Sequence, residues 1–248
     1  MNSDNVIEVK NLVKKFGSFV ANDNLTFSVK QGEVFGFLGA NGAGKTTAIR
    51  ILSGLSRPTS GDVMVAGVDV SRRPERVKQN IGYMSQKFSL YEDMTIHENI
   101  RFYASIYGIR VKERKQREEE LIRRLNLEEV KDRKIADLPL GWKQKLAFSL
   151  AIFHKPKVVF LDEPTGGVDP VTRRQFWEMI YESASRGITV FVTTHYMDEA
   201  EYCDRLSIMV DGKIVALDTP LNLMKQYNAA NMDEVFLKLA RLRKNNDE

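Results

Sequence analysis

A glycine-rich segment at residues 39–46 has the residue types of a loop that binds phosphate groups. It reads Gly-Ala-Asn-Gly-Ala-Gly-Lys-Thr and fits the pattern G-x-x-x-x-G-K-S/T. Glycines let the backbone curl so that successive N–H groups point at phosphate oxygens. Lys45 would place its charge between the β- and γ-phosphates of a nucleotide, and the Thr46 hydroxyl would bind Mg²⁺. The predicted nucleotide-binding residues are Gly39, Ala40, Asn41, Gly42, Ala43, Gly44, Lys45, Thr46 and Thr47.

Two adjacent carboxylates, Asp162 and Glu163, follow an apolar run at residues 158–161. Such a run is typical of a buried strand, so the pair would lie at its carboxyl end. In a nucleotide site Asp162 would hold Mg²⁺ through water, and Glu163 would activate the attacking water as general base. The alternative is an acidic pair that faces solvent, and the phosphate-binding pattern upstream favours the nucleotide site.

Strands and helices alternate around these residues and would position them. The apolar run at residues 34–38 predicts a buried strand before the glycine-rich loop, and the spacing at 46–55 predicts a helix after it. The other predicted strands are at residues 6–16, 25–29, 63–65, 81–84, 188–192, 206–210 and 214–217, and the other predicted helices begin at residues 170, 196, 219 and 232. This alternation predicts an α/β fold.

Residues 88–155 differ, because they contain helix signals only. Thr95 and Glu98 match a capping box at the start of an amphipathic helix. We interpret the dense charge run at residues 112–120 as the solvated face of a second helix. The predicted helices span about residues 95–108, 112–125 and 139–154, the last beginning at Pro139 or Leu140. The sequence therefore predicts an all-helical segment inserted into the α/β framework.

The composition excludes several classes of protein. Of 248 residues, 43% are hydrophobic and 28% charged, so the chain can bury a core and is not disordered. Its one cysteine, Cys203, excludes a disulfide within the chain and a four-cysteine zinc site, and we expect it in the core. The net charge of +4 is weak evidence for nucleic-acid binding.

No stretch of the sequence reaches the ~18 apolar residues that a membrane-spanning helix needs. The N-terminus, Met-Asn-Ser-Asp-Asn, is polar and no apolar signal region follows it. We therefore expect the chain to be made and kept in a reducing, cytoplasmic compartment.

Taken in order along residues 6–220, the motifs resemble those of the ATP-binding subunits of ABC transporters. The glycine-rich loop with Lys45 resembles the Walker A motif, and Asp162 with Glu163 resembles the Walker B motif. The other matching motifs are Tyr-Met-Ser-Gln ending at Gln86 for the Q-loop, Gly-Val-Asp ending at Asp169 for the D-loop, and Thr-Thr-His ending at His195 for the switch histidine.

The resemblance implies a role for residues outside the two Walker motifs. Gln86 would coordinate Mg²⁺ or the attacking water, and an exposed turn residue is the alternative. His195 would donate to the γ-phosphate as charge develops, and a capping or core histidine is the alternative. Asp169 would reach across a dimer interface or cap the helix that follows it, and both can hold. Phe16 lies where the family has an aromatic that stacks on adenine, and burial in a strand is the alternative.

One motif departs from the family. Where family members have Leu-Ser-Gly-Gly-Gln or Leu-Ser-Gly-Gly-Met, this chain has Leu138, Pro139, Leu140, Gly141 and Trp142. In the family this signature meets the ATP held by the opposite subunit. Pro139 has neither the serine hydroxyl nor an N–H, and Leu140 replaces a glycine that allows close approach. Gly141 and the helix N-terminus remain as anion-binding features, so we expect a homodimer to hydrolyse ATP slowly.

The resemblance also implies the fold. This would be an α/β fold with a phosphate-loop (RecA-like) ABC ATPase core, an antiparallel β subdomain and an inserted all-helical subdomain. Residues 1–248 would form a single domain. Its core would occupy about residues 1–87 and 156–220, the helical subdomain about 88–155, and a C-terminal helical extension about 221–248.

The implied function is an ATP-binding and ATP-hydrolysing motor subunit that powers a membrane exporter. ATP and Mg²⁺ would be its cofactors. Its partners would be integral membrane permease subunits and a second ATP-binding domain, identical or not, and we expect no nucleic acid. The subunit would be cytoplasmic and peripheral on the inner face of the cell membrane. Residues 83–91, 197–204 and 232–239 look most like bacterial multidrug and efflux exporters, which implies drug or small-molecule efflux.

Two other functions stay open at this stage. One is a phosphate-loop ATPase that acts on nucleic acid or in translation, although such proteins usually carry long coiled coils or tandem domains. The other is a regulatory ATP-sensing subunit with weak turnover, which Pro139 favours and which Glu163 and His195 disfavour.

Four large apolar side chains follow the Q-loop. They are Phe88, Leu90, Tyr91 and Met94. We predict that they line a groove that receives a permease helix, and a local core is the alternative.

Overall fold

The computed structural model describes residues 4–86 and 90–244, and strands alternate with helices along them. The strands are β1 (Asn5–Phe16), β2 (Phe19–Lys30), β3 (Val34–Gly39), β4 (Ser60–Val65), β5 (Val68–Asp69), β6 (Ile81–Met84), β7 (Val158–Asp162), β8 (Thr189–Thr194), β9 (Arg205–Val210) and β10 (Lys213–Asp218). The helices are α1 (Lys45–Leu52), α2 (Pro74–Lys78), α3 (Ile96–Ile106), α4 (Val111–Arg124), α5 (Leu140–Ala151), α6 (Pro170–Ser185), α7 (Pro220–Gln226) and α8 (Met232–Lys244). Short 3₁₀ helices lie at Ile135–Asp137 and Asp198–Tyr202.

A six-stranded sheet with the order β10-β9-β3-β8-β7-β6 positions the candidate site. Its strands are parallel except for β10, which pairs antiparallel with β9. Every residue of β3, β7 and β8 is buried, as is typical of parallel strands covered on both faces. The carboxyl ends of these strands meet at one edge of the sheet. That edge brings the glycine-rich loop, Asp162 and His195 together.

A second, antiparallel sheet with the order β2-β1-β4-β5 packs near one face of the first. Phe27 of β2 stacks on Phe35 of β3 with ring centroids 5.8 Å apart, and Phe191 of β8 contacts both rings. α1 contacts strands of both sheets and buries Ile49 and Leu52 in the same apolar cluster. The predicted antiparallel sheet therefore shares a core with the parallel one.

The helices between β6 and β7 pack on the opposite face of the six-stranded sheet. Along β7, Val158 and Phe160 face the cluster under the antiparallel sheet, whereas Val159 and Leu161 face the helices, since strand side chains alternate. α3, α4 and α5 share this second cluster with α6 and α8. The division into subdomains at residues 87 and 155 stays a prediction.

Several helix starts are formed as the sequence predicts. Thr95 accepts a hydrogen bond from the Glu98 backbone N–H at 3.1 Å, and Glu98 accepts one from the Thr95 N–H at 2.8 Å. Both halves of the predicted capping box are therefore present. Thr219 likewise caps α7, with Pro220 at the first helical position.

The structure also corrects some predicted boundaries. α1 ends at Leu52 and not at residue 55, because Gly54 has a φ of +72° that leaves the helical region. β2 begins at Phe19, well before the predicted start, because a tight turn pairs Phe16 with Phe19. β5 and α2 were not predicted, since elements of two and five residues carry little periodicity.

Cys203 is buried, as predicted. Its burial, with the nearby carboxylates of Glu199 and Asp204, raises the pKa of its thiol. Because the thiolate is the reactive form, this cysteine behaves as a small core residue. Among the helices of residues 4–86 and 90–244, none combines the length and apolar character that a membrane span requires.

Candidate functional site

The glycine-rich loop connects the end of β3 to the start of α1. Gly42 and Gly44 have φ angles of +83° and +101°, in the left-handed region that favours glycine. A Cβ atom on Gly44 would lie 2.2 Å from the carbonyl oxygen of Ala21, so the loop backbone packs directly on β2. The loop leads into the amino end of α1, where backbone N–H groups without a partner in the helix attract anions.

Lys45 is the first residue of α1, and only 4% of it is exposed. Its amine donates hydrogen bonds to the carbonyl oxygens of Gly39 at 2.8 Å and Ala40 at 3.1 Å. The same Nζ atom lies 3.4 Å from Oε1 of Glu163. The lysine therefore lies between the backbone of the glycine-rich loop and the predicted base.

Asp162, at the end of β7, is buried and faces the first turn of α1. Its Oδ1 atom accepts hydrogen bonds from Oγ1 of Thr193 at 2.7 Å and from Oγ1 of Thr46 at 3.3 Å. Burial raises the pKa of Asp162, and the two hydroxyl hydrogen bonds oppose that rise. A carboxylate beside a hydroxyl is a set of hard oxygen ligands of the kind that Mg²⁺ takes.

No cluster of three or more histidine, cysteine or acidic residues that could hold a metal occurs in the described part of the chain. A single carboxylate and one hydroxyl fit an ion that draws its remaining ligands from phosphate oxygens and water. Mg²⁺ is bound in this way at nucleotide sites. Asp162 and Thr46 are therefore the residues that fit this ion.

Glu163 has a backbone conformation that is unusual for its residue type. Its φ is +50°, in the left-handed region. Its N–H points at Thr193 of β8, where the carbonyl oxygen and Oγ1 both lie at 3.1 Å. These contacts hold the backbone of Glu163 so that its side chain leaves the strand toward the loop. Non-glycine residues in this region cost free energy and are found where the surrounding structure fixes them.

Gln86 and His195 meet at the carboxylate of Glu163. The Gln86 amide donates to Oε2 of Glu163 at 3.0 Å, and Nδ1 of His195 lies 3.1 Å from the same oxygen. All three residues line one cavity of about 310 Å³. Lys45, Gln86 and His195 therefore place three polar groups around the carboxylate of Glu163. The sequence motifs predicted that these residues belong to one site, and the structure brings them together.

Phe16 lies at the end of β1 and is 56% exposed. The alternative that it is buried in a strand is therefore wrong. The Lys14 amine lies 4.9 Å from the centre of its ring. Stacking of Phe16 on adenine stays a prediction, and it requires an exposed aromatic ring of this kind.

The variant signature forms the start of α5. Pro139 is the N-cap, with φ −57° and ψ 148°, so it lies one residue before the first helical turn. Its side chain cannot cap the helix, whereas a serine hydroxyl there could accept a backbone hydrogen bond. Leu138 is buried, but Leu140 and Trp142 are 39% and 37% exposed.

Gly141 has a role inside this chain. A Cβ atom at this position would lie 2.6 Å from Cγ2 of Thr172 in α6. The glycine therefore allows the first turn of α5 to pack closely on α6. This packing explains Gly141 without reference to any bound anion.

Asp169 caps α6. Its Oδ1 atom accepts hydrogen bonds from the N–H groups of Val171 and Thr172, both at 3.0 Å, and Oδ2 accepts one from the Thr172 hydroxyl. These bonds lower the pKa of Asp169. The capping role is confirmed, and the reach across a dimer interface stays a prediction.

A buried network next to the switch histidine was missed by the sequence analysis. Glu199 is fully buried and accepts a hydrogen bond from Oγ1 of Thr165 at 2.5 Å, while Nε of Arg173 lies 3.5 Å from the same carboxylate oxygen. The Arg173 guanidinium lies over the ring of Tyr196, 4.5 Å from its centre, and that ring is 4.2 Å from the ring of His195. A glutamate on a short 3₁₀ helix gives no sequence signal of burial.

The four apolar residues after the Q-loop do not share one environment. Leu90 is buried in the core, Met94 is half-buried, and Tyr91 is 48% exposed with its ring edge against Phe102 at 4.6 Å. Phe88 lies outside the described residues. The alternative of a local core therefore applies to Leu90, and Tyr91 is the exposed member of the predicted groove.

Comparisons with known proteins agree with this geometry. A sequence profile described as "ABC transporter" matches residues 22–166. The chain is 44% identical over 243 residues to the probable multidrug ABC transporter ATP-binding protein YbhF of Escherichia coli, covering 95% of this chain and 42% of YbhF. It is 35% identical to the linearmycin resistance ATP-binding protein LnrL of Bacillus subtilis, covering 94% of this chain and 78% of LnrL. A solved ATP binding subunit of an ABC transporter superposes with a TM-score of 0.85 at 30% identity, covering 95% and 99% of the two chains.

The fold and the site together define a phosphate-loop nucleotide-binding protein with the carboxylate of Glu163 beside the phosphate loop. The chain belongs to the ABC transporter family, of which it forms the ATP-binding cassette, an ATPase. The predicted family and fold class are confirmed. The chain spans less than half the length of YbhF, so what the larger protein does as a whole is not carried over from it.

Proposed function

We propose that this chain hydrolyses Mg²⁺-bound ATP to drive export of drug-like compounds through separate membrane permease subunits. Two relatives support the export of drug-like compounds, because YbhF is named as a probable multidrug transporter protein and LnrL as a linearmycin resistance protein. The observation that carries the catalytic part is the convergence of Lys45, Gln86 and His195 on the carboxylate of Glu163.

The loop and Lys45 would bind the phosphates. The amine of Lys45 donates to two loop carbonyl oxygens and lies 3.4 Å from Glu163, so it is already held near the place where phosphate oxygens would enter. Charge-assisted hydrogen bonds to phosphate are stronger than those to a neutral carbonyl. Phosphate binding would therefore draw the amine away from the carbonyls of Gly39 and Ala40.

Thr46 and Asp162 would hold Mg²⁺. When bound, Mg²⁺ would supply positive charge that offsets the negative charge of the phosphates. A nearby cation favours the ionised form of a carboxylate, so binding would lower the raised pKa of Asp162. Gln86 is a further candidate ligand through its amide oxygen, since its amide nitrogen already contacts Glu163.

Glu163 would accept a proton from the attacking water, and its neighbours would orient it. The amide of Gln86 and the ring of His195 meet at Oε2, whereas Lys45 is nearest Oε1. His195 would turn toward the γ-phosphate and stabilise developing negative charge there. A base held from both of its oxygens needs little reorganisation when substrate arrives.

A second ATP-binding cassette, identical or different, would complete the site from the signature side. The exposed side chains of Leu140 and Trp142, next to the cap of Asp169, would lie in that interface. Because Pro139 offers no hydroxyl, the facing phosphate would receive fewer donors than from a serine-containing signature. This part of the proposal predicts slow hydrolysis by a homodimer.

The chain would lie on the cytoplasmic face of the cell membrane and contact its permease through the segment around Tyr91. A half-exposed tyrosine that packs against Phe102 offers an amphipathic contact of the kind enriched at interfaces. Tyr91→Asp should spare ATP binding and abolish co-purification with the permease. Unchanged co-purification would place the contact elsewhere.

The test of the whole proposal is the steady-state ATPase rate of the chain, alone and with membranes that contain its permease. We expect hydrolysis that needs Mg²⁺, disappears in Lys45→Ala, and is stimulated by the permease and by transported compounds. Lys10→Ala, an exposed lysine on β1, is the matched control and should keep the full rate. Hydrolysis that nucleic acid stimulates and permease does not would overturn the transport part. Tight ATP binding without turnover under all conditions would indicate a sensor and overturn the catalytic part.

A further inference from the structure

A second cavity lies at the opposite end of the six-stranded sheet from the phosphate loop. It has a volume of about 520 Å³, larger than the cavity at Glu163. Its walls come from α4, the end of α5, the loop that leads into β7, and the end of α6. Volumes of this size are typical of pockets that bind small organic molecules. None of the roles proposed above uses it.

The wall of this cavity is apolar and its rim is cationic. Leu121, Phe153 and Ile188 contribute apolar surface. The cationic side chains that line it are Arg117, Arg124, Lys155, Lys157 and Arg186, against one carboxylate, Glu120. The lining therefore has a net charge of +4, equal to the formal charge of the whole chain.

The two lysines differ from the arginines in their partners. The arginines are engaged, since Arg117 pairs with Glu113 and both Arg124 and Arg186 pair with Glu182. Lys155 and Lys157 form no ion pair with any carboxylate of the described residues.

The backbone around the two lysines is nevertheless fixed. The Lys157 N–H donates to the carbonyl oxygen of Asn80 at 2.9 Å, and the Lys157 carbonyl oxygen accepts from Thr189 at 3.0 Å. The Lys155 N–H donates to the carbonyl oxygen of Ile152 at 2.9 Å. A loop held in this way presents two uncompensated charges at a defined place.

Ser149 supplies an independent observation. It lies on α5 in the wall of the cavity and is 97% buried, and its hydroxyl has no hydrogen-bond partner among the described residues. Buried hydroxyls are normally hydrogen-bonded, because burial without a partner costs free energy. The oxygen is covered by neighbouring atoms, so a ligand with an acceptor oxygen would satisfy this donor only after a small shift of the wall.

We infer that this cavity binds a small organic anion with an apolar body, such as an aryl sulfonate or an alkyl phosphate. The apolar body would lie against Phe153 and Ile188, and the anionic group would lie between Lys155 and Lys157. A cation of the same shape would be rejected, because the rim repels it. The ligand would contact both α4 and α6, and so would tie the helical segment to the sheet.

The experiment uses the full chain and 8-anilinonaphthalene-1-sulfonate, whose fluorescence rises on apolar contact. We expect saturable binding of one molecule per chain in the presence of saturating ATP, with competition by dodecyl phosphate. Dodecyltrimethylammonium, with the same alkyl chain and the opposite charge, should not compete below its micelle concentration. If only anions with an alkyl chain compete, the natural ligand is of lipid type. If short aryl sulfonates compete equally well, the natural ligand is a free organic anion. Equal competition by the cation would overturn the inference.

Charge reversal locates the site. The double change Lys155→Glu with Lys157→Glu should weaken binding at least about tenfold at low salt, since two attractive charges become repulsive. Lys112→Glu with Lys115→Glu makes the same charge change on the exposed face of α4 and should alter binding less than about twofold. Equal weakening by both pairs, or by neither, would contradict the assignment.

A second pair of variants changes the sign of the effect. Glu120→Lys removes the one carboxylate of the lining and should tighten binding a few-fold. Glu119→Lys, the neighbouring residue outside the lining, is its control. No difference between these two variants would count against the cavity. A protein segment as the true occupant would appear as failure of every small anion to bind, and that result too would overturn the inference.

Discussion

The phosphate-loop side and the signature side of this cassette are built to different degrees of completeness. On the first side, Lys45, Asp162 and Glu163 are buried or nearly so, and each has polar contacts from within the chain. On the second side, the first turn of α5 has no side-chain cap, and Leu140 and Trp142 are partly exposed. The difference indicates that one half of the site is preorganised by the fold, whereas the other half depends on the protein surface that faces it.

Replacing Glu163 on the preorganised side should have the largest effect on ATP hydrolysis. Glu163→Gln keeps the shape and the contact with Gln86 but removes the proposed proton acceptor, so we expect ATP hydrolysis to slow by ~10²-fold or more while ATP binding remains. Phosphate release and nucleotide binding would be measured in parallel. Glu178→Gln, an exposed glutamate on α6, is the control. A wild-type rate in Glu163→Gln would show that another group is the base.

Asp162→Asn should separate activity from stability. The buried carboxylate has a raised pKa, so its ionised form is disfavoured in the folded protein, and a neutral amide should raise Tm by about 1–3 °C. The same change should raise the Mg²⁺ concentration needed for hydrolysis by ~10–100-fold, because the proposed metal ligand is lost. Thermal unfolding and an Mg²⁺ titration of the ATPase rate measure the two effects. A fall in Tm with unchanged Mg²⁺ dependence would contradict both.

Repairing the signature side should have a moderate effect in the opposite direction. Pro139→Ser with Leu140→Gly restores a hydroxyl and room for close approach at the start of α5. We expect the chain's own ATPase rate to rise about tenfold, since each lost donor at a charged transition state can cost ~10²-fold or more. The rise should appear only at protein concentrations that allow dimers. A wild-type rate already at ~1–10 s⁻¹, or no rise in the variant, would mean that the variant signature is fully functional.

Asp169 provides the smallest and most local test. Its pKa is lowered by the hydrogen bonds at the N-cap, so its contribution to stability is present above the ordinary carboxyl pKa and is lost as pH falls through the folded value. Asp169→Asn keeps a capping side chain that does not titrate. We expect the Tm difference between wild type and this variant to shift by about 1–2 °C between pH 7 and pH 3, in favour of the variant at low pH. A constant difference would show that the cap is not ionised.

The sequence was sufficient for the parts of the site that obey local rules. The glycine-rich loop, the carboxylates after β7 and the capping box at Thr95 each depend on neighbours within a few residues. Their geometry follows from strand, loop and helix in succession. The same holds for Asp169, whose cap could be predicted from the proline that follows it.

Other features depend on contacts between distant segments and left no local pattern. Gly141 is required by Thr172, 31 residues further along the chain, and the burial of Glu199 depends on Thr165, 34 residues before it. The different environments of Leu90 and Tyr91 likewise arise from tertiary packing. A single sequence specifies such contacts only through the completed fold, which is why these residues could not be assigned beforehand.

The left-handed backbone of Glu163 has a consequence for laboratory evolution of this cassette. Asn and Gly adopt φ near +50° more readily than Glu does, so either replacement would relieve backbone strain at this position. A random library screened for thermal tolerance alone would therefore enrich substitutions at residue 163, and these would remove the proposed base. Selection for a more thermostable variant of this cassette therefore requires that phosphate release is also measured in every round of screening.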